Sequence, residues 1–529
     1  MRRLDLLGAC VVGLSVAAGC GVSSDDTGDG DEADLTSLSA RQRALTFEGV
    51  VYVKPDANDS LILDTARKQT QTAFGALLAS KVSVRTREVQ NIDTSSLRKR
   101  KVTVVDTNVA NDPGTPMLEV RYVLHDDAVV PVELARHSGL SLALLAKGAD
   151  AHRDVVVPVC TKNDKEAKDD AAMGLLWYDF DPGRAACRKA IEREARAIDA
   201  DTDKLTDVKT QISKSRAERI YLPTTMQLAS TQTVNKATYP EYDKLFSGGA
   251  DPNALTVALV NGRLEHKHVT AVEDGGYFEW MSALDQIFKV HPEFELTKID
   301  PPDQNITVAL VGANEIKGLT FKNFIDWTVR DTGWPAGIGN GGRKEIAEKI
   351  SEKLVNHWVT FEKKVKVSVG NAPPRDFTLR IETSFGADED PEPHQRAVKR
   401  GDVVVYNGHS YIGYGPLDPD NFKSSSFSPG YQLFFFDSCV SYNYYEKDFF
   451  SLKRGGSESL DIITNGLEAP EEDSGLAEGK FIAKLLDGSM PSYQTLLTTA
   501  KRTDSMRVVD GELDNKFRPN KVSVRVTSR

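Results

Sequence analysis

A series of short apolar runs in the second half of the chain constrains the fold most strongly. Five runs rich in Val, Ile, Leu and Phe each stop at a polar or glycine residue: LTVALVNG, NITVALVGAN, VVVYN, QLFFF and LDIITNG. Stretches with helical periodicity, such as 277–290 and 476–488, separate several of them. Strands that are apolar on both faces and alternate with helices are typical of a mostly parallel sheet covered on each side. The sequence therefore predicts an α/β domain over 250–500.

The regions outside 250–500 suggest a second domain and a C-terminal extension. Within 45–150, strand-like segments alternate with one clear helix, which favours a smaller α+β domain over 45–245 ahead of the α/β domain. The glycine- and proline-containing stretch FSGGADPNA at 246–254 is a suitable boundary between the two domains. Residues 501–529 are interpreted as a C-terminal extension.

The N-terminus has the composition of an export signal. A basic start, Met1–Arg3, precedes about fourteen apolar residues, too few to span a bilayer as a helix. The small residues before Cys20 resemble the lipobox of bacterial lipoproteins. This resemblance implies that residues 1–20 are a lipoprotein signal peptide cleaved just before Cys20, which is then the lipidated N-terminus. It also implies an anchor in the bacterial cell envelope, with the outer membrane expected. A plain secretory signal cleaved nearby is the alternative.

Charge and composition limit the partners. Residues 21–44 are rich in Asp, Glu, Ser and Gly at their start, which predicts a disordered acidic tether between an anchor and the folded body. The net charge of −11 argues against nucleic acid as a main partner, since that role needs a basic face. Candidate motifs for metals and nucleotides are incomplete, so we expect no metal and no cofactor.

The five cysteines divide into separate roles. Cys10 lies within the signal peptide and Cys20 is the lipidation site. Cys160 and Cys187 are 27 residues apart in an exported chain, which favours a disulfide that would stabilise the fold by about 3 kcal/mol. Two separately buried thiols are the alternative. Cys439 then remains as an odd cysteine, which marks either a reactive thiol or an inert core residue.

Cys439 and His409 occupy equivalent places after two consecutive apolar runs. Each follows the carboxyl end of a predicted strand, where ligands bind in open α/β sheets. If the two strands are adjacent and parallel, they lie about 4.8 Å apart and both side chains face one cleft. A thiolate is a strong nucleophile and an imidazole can transfer its protons. Taken singly, a satisfied loop histidine and a buried core thiol are the alternatives.

The segments NGHS (407–410) and FDSC (436–439) resemble the caspase-like cysteine peptidases, which include caspases, metacaspases, legumain, gingipain and clostripain. In that family the catalytic His follows one strand of a parallel sheet and the Cys follows the next. The resemblance implies that His409 is the general acid/base and Cys439 the nucleophile. It also implies that Asp437 lines the pocket for a basic P1 side chain. The backbone N–H groups of Ser410 and Cys439 would form the oxyanion hole, although the family usually has Gly where Ser410 stands.

These observations predict a lipid-anchored, extracytoplasmic cysteine endopeptidase that acts on peptides or proteins and favours basic P1 residues. Two other hypotheses stay open. One is a caspase-like domain without turnover that serves as a binding module, and the other is a structural surface lipoprotein.

Overall fold

The structure is a computed structural model of the chain. It describes residues 36–528 except for 147–150, 162–164, 173–179, 232–235, 266–268, 303–305, 310–314, 320–322, 324–325, 328, 330–331, 335, 387–389, 412–414, 446, 470–472 and 501–504. The described residues form two compact units. Unit A comprises residues 40–231, and unit B comprises residues 232–528 together with the short strand β1 (Thr36–Ser37) and the two residues after it.

Unit A contains a seven-stranded sheet among its described residues. Its strands are β2 (Ala40–Val53), β3 (Ser83–Val84), β4 (Ile92–Val105), β5 (Thr115–Pro131), β6 (Gly139–Leu145), β7 (Gln211–Ser213) and β8 (Tyr221–Ser230). The order is β6-β8-β2-β5-β4-β7, with β3 beside β5, and β4-β7 is the parallel pair. The long strands β2 and β5 pair over fourteen residues and therefore form the centre of the sheet.

The first helix of unit A packs against one face of this sheet. The helices of unit A are α1 (Asp59–Gln71), α2 (Ala73–Ala79), α3 (Val157–Cys160), α4 (Lys165–Ala172), α5 (Ala185–Thr202) and α6 (Lys214–Ala217). Helix α1 starts after Asn58, whose side chain accepts a hydrogen bond from the first turn. Its residues Ile62 and Ala66 pack on Val51 and Val120, because alternate residues of β2 and β5 point to the same face.

The predicted disulfide is confirmed in unit A. Cys160 at the end of α3 is bonded to Cys187 in the first turn of α5, and both residues are fully buried. The bond joins a short helix to a long one across 27 residues of chain.

Unit B contains a ten-stranded mixed sheet among its described residues. Besides β1, the strands of this unit are β9 (Ala254–Asn261), β10 (Glu295–Asp300), β11 (Ile306–Ala309), β12 (Glu315–Leu319), β13 (Trp358–Val369), β14 (Arg375–Phe385), β15 (Val403–Asn407), β16 (Gln432–Asp437), β17 (Leu460–Asn465), β18 (Arg507–Asp510) and β19 (Val524–Ser528). The order is β1-β18-β17-β16-β15-β9-β14-β13-β10, with β19 beside β13. The five strands from β17 to β14 are parallel, and the outer pairs are antiparallel.

Helices flank this sheet, and their apolar side chains form the hydrophobic core together with those of the strands. They are α7 (Tyr242–Leu245), α8 (Gly275–Val290), α9 (Asn340–Leu354), α10 (Glu392–Arg400), α11 (Ser441–Tyr444), α12 (Lys447–Leu452), α13 (Ser474–Leu485) and α14 (Tyr493–Ala500). Trp280 of α8 is buried, stacks on Phe385 at 5.9 Å and donates a hydrogen bond to Thr383 Oγ1 at 2.6 Å. Phe481 of α13 contacts Phe435 of β16 edge-to-face. These aromatic contacts fix both helices on the sheet.

The structure agrees with the α/β class predicted from the apolar runs, because it consists of mixed sheets flanked by helices. Four of the five runs form β9, β15, β16 and β17, all fully buried, as predicted. The run at 305–314 is different, because its described part, β11, pairs with β12 in a separate hairpin. The place beside β9 is taken by β14, which pairs with it over eight residues.

The predicted parts of the chain are arranged differently at three points. Unit A lies between β1 and the rest of unit B in sequence, whereas a smaller domain ahead of the main one was expected. Up to position 35 the predicted tether lies outside the described residues. From Thr36 onward the chain contributes strands β1 and β2, and Ala40, Gln42 and Leu45 of β2 are buried in the fold. The predicted C-terminal extension supplies β18 and β19 to the sheet of unit B.

Candidate active site

The site lies where the central parallel strands of unit B end. Asn407, the last residue of β15, is directly opposite Asn261 of β9 on one side and Asp437 of β16 on the other. The chain therefore leaves the sheet at the same edge three times in neighbouring strands about 4.8 Å apart. His409 follows β15 by two residues, and Cys439 follows β16 by two residues. The structure thus places the predicted pair at adjacent strand ends.

The imidazole of His409 is half-buried and held by the segment that follows β9. Its Nε2 atom lies 2.9 Å from the carbonyl oxygen of Leu264. A carbonyl oxygen can only accept, so we assign the hydrogen to Nε2 and the lone pair to Nδ1 in the neutral ring. The ring also packs edge-to-face on Tyr411 at 5.8 Å. The atom suited to accept a proton is therefore Nδ1.

Cys439 lies at a sharp turn between β16 and α11. Its thiol is half-buried and, among the described cysteines, is the one outside a disulfide. The next residue, Val440, has φ of +50°, a left-handed conformation that is unfavourable for a β-branched side chain. Hydrogen bonds maintain this conformation: Val440 N–H donates to the Leu467 carbonyl at 3.0 Å, and Ser441 Oγ donates to the Phe436 carbonyl at 2.8 Å. Strain held in this way is frequent at functional sites.

Ser410 connects the loop of His409 to the loop of Cys439. Its hydroxyl donates a hydrogen bond to the carbonyl oxygen of Cys439, and its own carbonyl accepts one from Tyr445 Oη at 2.5 Å. A glycine at this position would lack the hydroxyl. The backbone N–H of Ser410 has no acceptor among the described residues. The predicted oxyanion role of this N–H group stays a prediction.

Gly408 allows the chain to pass close to a neighbouring ring. A Cβ atom at this position would lie 2.5 Å from Tyr406 Oη, closer than any side chain tolerates. Tyr406 Oη also donates a hydrogen bond to the carbonyl of His409 at 2.8 Å. Glycine is therefore required before His409 for the tyrosine to hold this loop.

Asp437 is buried below the pair and is already bonded. Arg507 Nη2 lies 2.9 Å from both of its carboxylate oxygens, and Asn465 Nδ2 donates to Oδ1 at 2.7 Å. The side chains of Asp437 and Arg507 are 0% and 3% exposed. A basic P1 side chain, the partner that the sequence suggests for Asp437, would have to compete with Arg507. The guanidinium also lies over the ring of Phe435 at 4.6 Å.

A row of polar side chains at this edge was missed in the sequence. Asn261, Asn407 and Asn465 end β9, β15 and β17, and Arg507 of β18 lies opposite Asn465. All four residues are buried. The signal that could have revealed the row is the dipeptide Asn-Gly, which ends three of the apolar runs, at 261–262, 407–408 and 465–466.

A buried acid from a helix adjoins this row. Burial raises the pKa of Glu478 on α13 well above its usual value, and the nearby carboxylates of Asp437 and Glu279 raise it further. Arg507 and Asn407 oppose this rise. Glu478 therefore favours its neutral form more strongly than an exposed glutamate does.

The other predicted site residue, Cys20, lies outside the described residues. No helix in the described part of the chain is both long and apolar enough to cross a membrane. Comparisons of the chain with protein-family models, with curated proteins and with solved structures gave no match.

Proposed function

We propose that this chain is a cysteine-type endopeptidase in which Cys439 is the nucleophile and His409 the general acid/base. The observation that carries the proposal is the placement of both residues just past adjacent, parallel and in-register strand ends. The Leu264 carbonyl supports it by orienting the imidazole with Nδ1 as the base. The order of the two residues also agrees with the resemblance of NGHS and FDSC to caspase-like peptidases.

The proposed reaction uses these groups in sequence. Nδ1 of His409 takes the proton of the Cys439 thiol, and the thiolate attacks the carbonyl carbon of the scissile peptide bond. The N–H groups of Ser410 and Cys439 stabilise the oxyanion that forms. The C–N bond then breaks as His409 gives its proton to the leaving amine. Water, deprotonated by His409, hydrolyses the thioester and restores the thiol.

The setting proposed for this reaction is the outside of the cytoplasmic membrane, with the protein held by a lipid on Cys20. The Cys160–Cys187 disulfide supports export, because such bonds persist in oxidising compartments. The substrates would then be peptides or proteins of the cell envelope or its surroundings. Since Asp437 is paired with Arg507, the substrate set tested must include uncharged as well as basic P1 residues.

The test combines thiol reactivity with peptide cleavage. We expect iodoacetamide to alkylate Cys439 in the folded protein at pH 6–7, well below the ordinary thiol pKa of about 8.5. Cleavage of a fluorogenic peptide library should be lost in Cys439→Ala and in His409→Asn. The matched control is His125→Asn, which changes an exposed histidine of unit A and should leave both readouts unchanged.

Two results would reject the enzyme proposal. One is a folded protein whose thiol reacts only above pH 8, and the other is the absence of cleavage of any library member. Both together would favour the binding-module hypothesis for the same site.

A further inference from the structure

The position of the Leu264 carbonyl determines how His409 is oriented, so the segment that holds this carbonyl is part of the site. Leu264 belongs to the β9–α8 loop, residues 262–274, which leads from the end of β9 to the start of α8. A shift of the carbonyl by about 1 Å would lengthen the 2.9 Å bond to Nε2 beyond a useful hydrogen bond. The loop therefore has to be held firmly.

One carboxylate organises the described part of this loop. Asp274 Oδ1 accepts hydrogen bonds from the backbone N–H of Leu264 and of Gly276, both at 2.9 Å. Its Oδ2 accepts from the N–H of Glu265 and from Arg263 Nε, both at 3.3 Å. The side chain of Asp274 is 0% exposed, so these bonds form away from water. Three donors from the start of the loop and one from the first turn of α8 thus converge on a single side chain.

Two further contacts restrict the loop on its other sides. The N–H of Gly262 donates to the carbonyl of Asn407 at 2.8 Å, which ties the loop to the strand that carries His409. A Cβ atom at Gly276 would lie 2.0 Å from the Gly262 carbonyl oxygen, so the loop and the first turn of α8 touch backbone to backbone. Any change in the direction of Asp274 is therefore transmitted to Leu264.

We propose that Asp274 is a positioning residue of the active site. By binding the N–H of Leu264 and the N–H of Glu265, which shares a peptide unit with the Leu264 carbonyl, it places that carbonyl where it holds His409 in the tautomer with Nδ1 as the base. Asp274 does not touch the substrate or the thiol in this role. The inference rests on the proposed peptidase function and names the residue through which the fold controls its general base.

The variant Asp274→Asn separates this role from the stability of the helix. Asn is as good an N-cap residue as Asp, so α8 should keep its start. The amide nitrogen, however, cannot accept the bonds from Glu265 and Arg263, and the loop should shift. We expect kcat to fall by about a hundredfold with KM little changed, as for a misplacement of about 1 Å. The matched control is Asp285→Asn, on the same helix but partly exposed, where the carboxylate forms a salt bridge with Lys289.

Nitrogen NMR of the His409 ring provides a readout independent of turnover. The wild-type protein should show a single Nε2–H tautomer in its neutral form, and Asp274→Asn should show a mixture of tautomers. A wild-type ring with its hydrogen on Nδ1 would overturn the inference whatever the variants do. Full activity and an unchanged tautomer in a folded Asp274→Asn protein would also overturn it, while leaving the peptidase proposal intact. A wild-type protein without cleavage and without an activated thiol would instead reject the peptidase proposal and, with it, this role.

Discussion

Replacement of Arg507 by Met tests whether a buried ion pair anchors the end of β16, two residues before Cys439. Arg507 and Asp437 are 3% and 0% exposed, and the guanidinium nitrogen lies 2.9 Å from both carboxylate oxygens. Methionine keeps much of the aliphatic volume over Phe435 but leaves Asp437 without its cation. Breaking one side of a buried pair costs about 3–5 kcal/mol. That is a large part of an ordinary stability of about 5–15 kcal/mol.

A second estimate gives a loss of folding stability of the same size and predicts how that loss depends on pH. In the variant, Asp437 must stay charged without a partner or take up a proton. Proton uptake at pH 7 costs a carboxyl with the ordinary aspartate value about 4 kcal/mol, and about 1.4 kcal/mol less for each unit that the pH falls. Between pH 4 and 7 the folded variant then binds more protons than its unfolded state, so its stability rises as the pH falls. We expect a loss of about 4 kcal/mol at pH 7 and about 1.5 kcal/mol at pH 5, the latter from the same estimate.

The assay is urea unfolding at pH 7 and pH 5, followed by tryptophan fluorescence. Four of the five tryptophans lie in the sequence of unit B, so the signal reports mainly on that unit. The double variant Asp437→Asn/Arg507→Met removes both charges and should recover most of the loss, whereas Asp437→Asn alone should not. A loss below about 1 kcal/mol at pH 7, or a loss that does not shrink at pH 5, would refute the reasoning.

Three further predictions follow from buried groups. Burial lowers the pKa of Lys453 to about 7, so above that pH the folded state binds fewer protons than the unfolded state. The free energy of unfolding should therefore rise between about pH 7 and pH 10. The variant Lys453→Met should flatten this rise in urea titrations. Burial raises the pKa of Asp461 to about 7, so stability should fall as the pH increases from about 4 to 7, and Asp461→Asn should remove that part of the fall. Reduction of Cys160–Cys187 should destabilise unit A by about 3 kcal/mol in calorimetry, and a reductant should have no such effect on the Cys160→Ala/Cys187→Ala protein.

Local patterns were enough to predict the elements that carry the site. The runs that became β15 and β16 are apolar on both faces, which is typical of buried parallel strands. Since adjacent parallel strands end at one edge, the predicted placement of His409 and Cys439 depended only on β15 and β16 being parallel neighbours, as they are. The disulfide was predictable because Cys160 and Cys187 lie 27 residues apart in a segment that the N-terminal sequence predicts to be exported.

The groups that support the site could not be predicted in this way. Arg507 reaches Asp437 across 70 residues, and its strand β18 has only four residues with little local signal. Asp274 reads in sequence as an ordinary N-cap, and its bond to Leu264 depends on how the loop folds back. Such contacts depend on the packing of segments that are far apart in the chain, so no local sequence pattern predicts them.

Ser410 stands where the caspase-like peptidases that NGHS and FDSC resemble usually have glycine, and its surroundings explain the serine. Gly at position 410 would offer an N–H group but no link between the two loops. Ser410 offers the same N–H group, and its hydroxyl also donates to the carbonyl of Cys439. Tyr406 Oη donates to the His409 carbonyl at 2.8 Å, and this carbonyl shares a peptide unit with the Ser410 N–H, so that unit is fixed in direction. Because a preorganised N–H group stabilises an oxyanion better than a mobile one, the serine favours the proposed chemistry rather than opposing it.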